Sequence, residues 1–448
     1  MRREDHRALD NDHLTEADPV LSLVMGLAKG YLRAWSRAER VGAWGALDQI
    51  VLASSGFIVA MSVARTGGPS ALGLFALVHG LIVFVSQLLK ASFGDPLVVE
   101  VNGSKRRDGF TIAAPIVSAL LLLGLTAALV WSLAGRLVNA IPEPQLWWLV
   151  VLALMPLALF QDLARSLRLA ALGERRLFTG DLLVAGARTG ALGLAAIGVR
   201  GLYLGLTVVM IGGVAGIILI RKMLAGSWSL EPLRRLWRLG RWLIGDSIMY
   251  GATVYGIWVL FVPKAGIEVA GQFRAAQYMY APIQTIVIGL HTVLLARLAG
   301  TSGDGCRMVG TYARFQVALV TAWGALATAL GPTATTHIFG SAFVIPRGEL
   351  LTMTGMVLAT TVFELAVVRL CAASDVRRLL LARGGATVVG LAGIALAGTT
   401  LPRLLIIVIL SQLVGIYLAR PKSRRPGATG ASRLTSNGAD IPAFHHRS

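Results

Sequence analysis

Charge is rare in this sequence, acidic residues are scarce, and cysteine is almost absent. Only 15% of the 448 residues are charged, with 23 Asp and Glu against 42 Lys and Arg. A soluble domain of this length needs a polar shell that such a composition does not supply. The two cysteines, Cys306 and Cys371, make neither a disulfide framework nor a metal site. Both fall on the side predicted to be cytoplasmic, where thiols stay reduced. No Walker-type phosphate loop, zinc-ligand spacing or serine nucleophile elbow occurs. ATP hydrolysis is therefore not expected, nor is any cofactor, and the catalytic and metal assignments are none. The net charge of +19 would suit nucleic acid. The basic residues, however, sit at the ends of apolar blocks and form no basic domain, so nucleic acid is not an expected partner.

Apolar residues are plentiful: 55% of the chain is hydrophobic, with a mean hydropathy of +0.69. They arrive in blocks about as long as a helix that spans a hydrocarbon core. The blocks are 44–64, 70–89, 110–134, 146–164, 177–199, 201–220, 242–262, 272–296, 312–331, 348–370, 379–399 and 401–419. This pattern predicts an all-α integral membrane protein with about twelve transmembrane helices. Residues 1–20 are polar and charged, predicting a disordered lead with no cleavable signal peptide. Residues 21–43 carry Leu21, Val24, Ala28, Leu32 and Trp35 on one helical face and Lys29, Arg33 and Arg37 on another, the pattern of an interfacial helix. Residues 221–241 carry Leu233, Leu236 and Trp237 among Arg234, Arg235, Arg238 and Arg241, a basic connector suited to anionic lipid. The stretch from 420 to 448 is basic and rich in Gly, Ser and Pro, predicting a disordered tail.

The distribution of Lys and Arg tests the count of spans. With twelve spans and both termini inside, 34 of the 42 fall in inside segments and seven outside, with Arg188 alone in mid-span. Every inside segment outweighs its outside neighbours, an alternation that a wrong count would scramble.

Six blocks precede the connector and six follow it, dividing the chain into 44–220 and 242–419. Trp44-Gly-Ala-Leu-Asp48 opens the first block and Trp242-Leu-Ile-Gly-Asp246 opens the seventh, 198 residues on. The same offset aligns Gly73 with Gly271 and Phe75 with Phe273. An even number of spans separates the copies, so the repeat is parallel, about an axis along the membrane normal. Two six-helix lobes facing a central cavity are expected, with rocking of one against the other giving alternating access.

Ionisable groups inside spans are costly and mark pathways or buried pairs. Arg188 lies at mid-depth in Gly186-Ala-Arg188-Thr-Gly190. It is either a cavity cation that holds an anionic group such as phosphate, or an ion-pair partner of Asp181 or Glu364. Arg274 either snorkels outward or faces the cavity beside Gln277. Asp48 and Asp246 stand at the mouths of the first and seventh spans. They are either helix-terminal charges met by neighbours, or gating or cation-coupling groups. Glu364 in the tenth span can pair with Arg188 or take a proton. His79 and His291 read as polar packing, and Pro115, Pro156 and Pro282 as hinges.

Several stretches carry a family resemblance. They are Asp48-Gln49 in the first span, Gly73-Leu-Phe75 in the second and Phe93-Gly-Asp-Pro96 after it. Gln161-Asp162-Leu-Ala-Arg165, Leu172-Gly-Glu-Arg-Arg176 and Asp181-Leu-Leu follow. The fullest stretch is Gly271-Gln-Phe-Arg274-Ala-Ala-Gln277-Tyr-Met-Tyr-Ala-Pro282, and Phe339-Gly-Ser-Ala-Phe343 comes last. Over about residues 40–420 the chain resembles the multidrug/oligosaccharidyl-lipid/polysaccharide (MOP) exporter superfamily, and within it the Wzx-type polysaccharide flippases of bacteria. That resemblance implies a MATE-like pair of lobes in a bacterial inner membrane. It also implies a cavity for the head group of a polyprenyl-(pyro)phosphate-linked glycan, with membrane lipids around it. Arg188, Arg274 and Gln277 are then the expected substrate-binding residues, and Asp48, Asp246 and Glu364 the expected gating or ion-coupling ones. An ion-coupled exporter of small cations from the same superfamily is the alternative. A membrane glycosyltransferase or ligase is a third reading, disfavoured by short, nearly uncharged outside loops.

Overall fold

The structure, a computed structural model, describes residues 40–94, 174–220, 231–300, 305–373, 375–397 and 400–420, together with Leu157, Gln161, Asp162, Arg165, Ser166 and Arg168. Every regular element among these residues is helical. The expected blocks 110–134 and most of 146–164 lie outside the described residues. So do the polar lead, residues 21–39 of the interfacial helix, residues 221–230 of the connector, and the tail beyond Arg420; residues 40–43 open the first helix.

The helices are α1 (Arg40–Leu89), running into a π-turn at Lys90–Gly94, α2 (Glu174–Ala191), continued as a 3-10 turn at Leu192–Ile197, and α3 (Gly201–Ile220). The second half holds α4 (Glu231–Ala265), α5 (Ile267–Gly300), α6 (Gly305–Phe339), α7 (Arg347–Ala372), α8 (Val376–Ala397) and α9 (Leu401–Leu418). Seven helical stretches of the described residues are long and apolar enough to cross a membrane, and Gly201–Gly216 is a shorter apolar one. The expected connector does not end before the seventh block, because residues 231–241 continue unbroken into α4.

α1 is two antiparallel arms joined at Gly68, which has φ 71° and ψ −168° and is followed by Pro69. Only glycine adopts that backbone without strain, and proline is pre-set to start the next helix. A Cβ on Gly205 of α3 would lie 2.7 Å from the side chains of both Val63 and Phe75. Twelve residues of straight helix would hold those two about 18 Å apart, so the arms must fold back on each other. Gly266, at φ 87°, makes the corresponding turn between α4 and α5, 198 residues after Gly68.

The second arm of α1 crosses α5 at close range. A Cβ on Gly73 would stand 2.1 Å from the carbonyl oxygen of Ile267, and one on Gly271 would stand 1.9 Å from that of Pro69. Ser70 donates to Glu268 Oε1 at 3.1 Å beside them. Small residues let membrane helices approach closely where lipid offers no hydrophobic drive for association. Around this crossing lies the largest buried cluster, which includes Leu72, Phe261, Phe273, Tyr280, Phe339 and Phe343. The opposite surfaces are apolar too. Leu396 is 86% exposed, and Leu183, Leu351, Val388 and Tyr417 also point outward. Helices apolar on all sides belong in hydrocarbon, where such side chains meet lipid.

Candidate functional site

A cavity of about 350 Å³ opens among α4, α5, α7, α8 and α9. Its wall mixes aromatic rings (Tyr250, Trp258, Phe273, Tyr278, Phe363) with polar groups (Thr253, Gln277, Gln284, Thr387, Gln412) and three charges, Arg274, Glu364 and Arg383. A mostly apolar recess with a few converging polar groups is the usual form of a small-ligand site.

The expected residues Arg274 and Gln277 both line it. Arg274 donates to Gln277 Oε1 at 3.0 Å and to the Tyr278 hydroxyl at 3.4 Å. Its guanidinium lies 4.7 Å from the Tyr278 ring centre and 6.0 Å from that of Trp258. Residues three and four apart share a helix face, so α5 itself holds the cation in place. Arg274 Nε has no hydrogen-bond partner among the described residues, and no carboxylate there pairs with the side chain. The outward-snorkelling alternative does not describe it.

At one end of the cavity Arg383 of α8 gathers two carboxylates. Its Nε is 2.6 Å from Asp246 of α4, and its two terminal nitrogens donate to both oxygens of Glu364 of α7 at 3.1 and 3.2 Å. The planar guanidinium fork suits this bidentate grip. Tyr250 and Phe363 flank it at 5.4 and 5.9 Å. Of the two alternatives for Glu364, the pairing with Arg188 is not the observed one: it meets Arg383, which sits a few residues inside the eleventh block.

The first half has an equivalent cluster. Arg165 bridges Asp48 of α1 and Asp181 of α2, the latter at 2.5 Å, and Arg168 adds a 2.7 Å pair to Asp181. The side chains of Asp48 and Asp181 are 2% and 1% exposed, against 30% and 24% for Asp246 and Glu364. The carboxylates of the first cluster are buried, whereas Glu364 and Arg383 of the second line the cavity.

Arg188 stands apart from both clusters. It donates to Gln161 Oε1 at 2.8 Å, and its stem fills the notch left by Gly212 of α3. Asp181 is occupied by Arg165 and Arg168, so of the two alternatives for Arg188 the ion pair with Asp181 is not observed. Arg188 Nε lacks a partner among the described residues, and Arg188 does not line the cavity around Arg274. His79, expected to be a packing residue, stacks on Phe75 at 5.3 Å with Nδ1 buried and without a hydrogen-bond partner among the described residues. It lies within electrostatic range of both Arg188 and Arg274. His291 meets Gln316 at 3.1 Å, which is packing of the expected kind. Pro282 lies inside α5 without ending it, while Pro115 and Pro156 fall outside the described residues.

No family model matches the sequence, and no curated protein matches it. Solved structures do resemble the fold. An inward-facing multidrug resistance MATE family transporter of the MOP superfamily matches at a TM-score of 0.64 and 13% identity, over 84% of this chain and 97% of that one. The lipid II flippase MurJ, in an inward closed conformation, matches at 0.63 and 10% identity, over 83% and 84%. A MOP superfamily transporter from Pyrococcus furiosus, described as having a binding pocket of reverse polarity, matches at 0.59 and 14% identity, over 85% and 93%. The chain therefore has the fold of MOP-superfamily transporters, and it is a multi-pass membrane protein of that architecture. These neighbours are transporters and flippases, and none is described as an enzyme.

Proposed function

We propose that the protein flips a polyprenyl-(pyro)phosphate-linked oligosaccharide or polysaccharide unit from the cytoplasmic to the outer leaflet by alternating access. The observation that carries this reading is Arg274. Glu364 of the cavity wall is already held by Arg383, whereas Arg274 reaches the same cavity with no carboxylate partner among the described residues. A guanidinium with free donors in a recess of low polarity favours an oxyanion such as phosphate. The aromatic and amide wall beside it suits a sugar, which offers C–H faces to rings and hydroxyls to amides. MurJ, a lipid II flippase, shows that the fold can serve such a task. Arg188, whose Nε has no partner among the described residues, offers a second cation in the first half of the chain.

The reading includes twelve spans in two parallel six-helix lobes, with both termini cytoplasmic in a bacterial inner membrane. The reciprocal contacts of Gly73 with Ile267 and of Gly271 with Pro69 support the repeat, because equivalent residues that touch must lie beside a twofold axis. The test is leaflet translocation of a fluorescent polyprenyl-diphosphate sugar in proteoliposomes, with Arg274→Ala as the control that should fail.

One observation favours a second reading, an ion-coupled exporter of cations. Asp246 and Glu364 share one arginine, which leaves a carboxylate in excess at the cavity wall. Efflux of a lipophilic cation driven by a proton or sodium gradient, with no movement of the glycan lipid, would select that reading.

A further inference from the structure

We infer that Arg65 and Phe57 of α1 form a latched plug that closes the cavity at the end opposite Asp48 and Asp246. The proposal concerns closure and does not depend on what the cavity carries.

Arg65 ends the first arm of α1, just before the turn at Gly68. Its Nε donates 2.9 Å to the carbonyl of Ile338, and a terminal nitrogen donates to the carbonyl of His337. Both carbonyls belong to the last turn of α6, which ends at Phe339. The last carbonyls of a helix have no partner within it and carry the negative end of its dipole. Arg65 therefore caps a 35-residue helix of the other half of the chain with a full positive charge. These are contacts across 272 and 273 residues, with nothing local to explain them.

The residue 198 positions later is Pro263, which has no such donor. Its neighbour Lys264 instead caps α8 of its own half through the carbonyls of Ile394 and Ala395. The bond from Arg65 thus joins the halves, while that from Lys264 stays within one.

Phe57, two turns deeper on the same arm, lies directly below this cap. Its ring meets that of Phe339 edge to face at 6.0 Å and that of Tyr278 at 6.1 Å. Such T-shaped pairs are favourable beyond the area they bury. Phe339 is the residue at the capped end of α6, and Tyr278 is the cavity residue under the guanidinium of Arg274. A continuous line runs from the Arg65 cap through Phe339, Phe57 and Tyr278 to the cavity wall. To admit anything from that end, the first arm of α1 must leave α5 and α6, which breaks the cap and both ring contacts together.

The experiment uses the full chain with Cys306→Ser, Cys371→Ser and a single reporter, Thr360→Cys, at the cavity wall. A membrane-impermeant thiol reagent is applied from the Arg65 side of sealed, oriented vesicles. Arg65→Ala and Phe57→Ala should each raise the labelling rate from that side by about fivefold, the population shift that loss of one such contact gives. Arg65→Lys, which can still donate to carbonyls, should stay near the parent. Unchanged labelling in both alanine variants, or labelling in Arg65→Lys raised as much as in Arg65→Ala, overturns the proposal.

Discussion

Gly73 and Gly271 each press on the backbone of the helix that bears the other, with room for no side chain on either. The carbonyl of Ile267 stands where a Cβ on Gly73 would go, and the carbonyl of Pro69 where one on Gly271 would go. Because the obstacle is backbone, it cannot rotate away. Gly73→Ala or Gly271→Ala should each cost about 1–3 kcal/mol through forced separation of the helices. The expected reading is a lower midpoint of thermal unfolding in detergent for both variants. Gly186→Ala, where a Cβ meets nothing within 4 Å, should leave it unchanged.

The two arginine clusters should respond differently to loss of their centre. Arg165→Ala strands the nearly fully buried Asp48, while Asp181 keeps Arg168, and should reduce stability by about 3–5 kcal/mol. Arg383→Ala strands acids that keep some contact with the cavity, so the loss should fall at or below about 3 kcal/mol. Adding Glu364→Gln to Arg383→Ala should restore part of it, because one of the two stranded charges is gone. Protein abundance in the membrane and the unfolding midpoint measure both effects. No recovery in the double variant would mean that Arg383 acts through packing on Tyr250 and Phe363.

Arg188 holds an amide, and no described carboxylate pairs with it, so removing it strands no paired charge. Arg188→Ala should keep normal abundance while lowering glycan export by at least about tenfold, the loss expected when one charged contact to a bound ligand is removed. Arg188→Lys should recover only part, since an ammonium cannot reproduce a fork of donors. Normal export from Arg188→Ala would remove the residue from the transport path.

Topology has its own test. A reporter that is active only outside the membrane, fused after Arg420, should stay silent. Activity there would require an odd number of spans and would undo the two-lobe arrangement along with it.

The parts of this architecture that follow local rules were legible in the chain. Apolar block length predicted helices, and the 198-residue offset predicted that Gly73 and Gly271 are a matched pair. The same offset also joins Gly68 to Gly266 and Ser70 to Glu268, matches that sequence inspection passes over because glycine and polar turn residues are common. Ion-pair partners were not legible. Arg188 has carboxylates nearby in sequence, yet which helix faces it depends on packing that hydropathy does not encode. Arg383 was masked by its position. Four residues into an apolar block and close to Arg377 and Arg378, it counts among the basic residues that flank a span. His79 gave only a weak signal, since a lone histidine on an apolar helix usually packs.

The central claim is that the cavity carries a phosphate-linked glycan on Arg274. Proteoliposomes holding the purified protein and a fluorescent polyprenyl-diphosphate sugar measure this directly, through the fraction of label that becomes accessible in the opposite leaflet. The account predicts translocation by the parent protein, loss of at least about tenfold in Arg274→Ala, and partial recovery in Arg274→Lys. Translocation that is equally fast in Arg274→Ala, with the protein folded and correctly inserted, would contradict it.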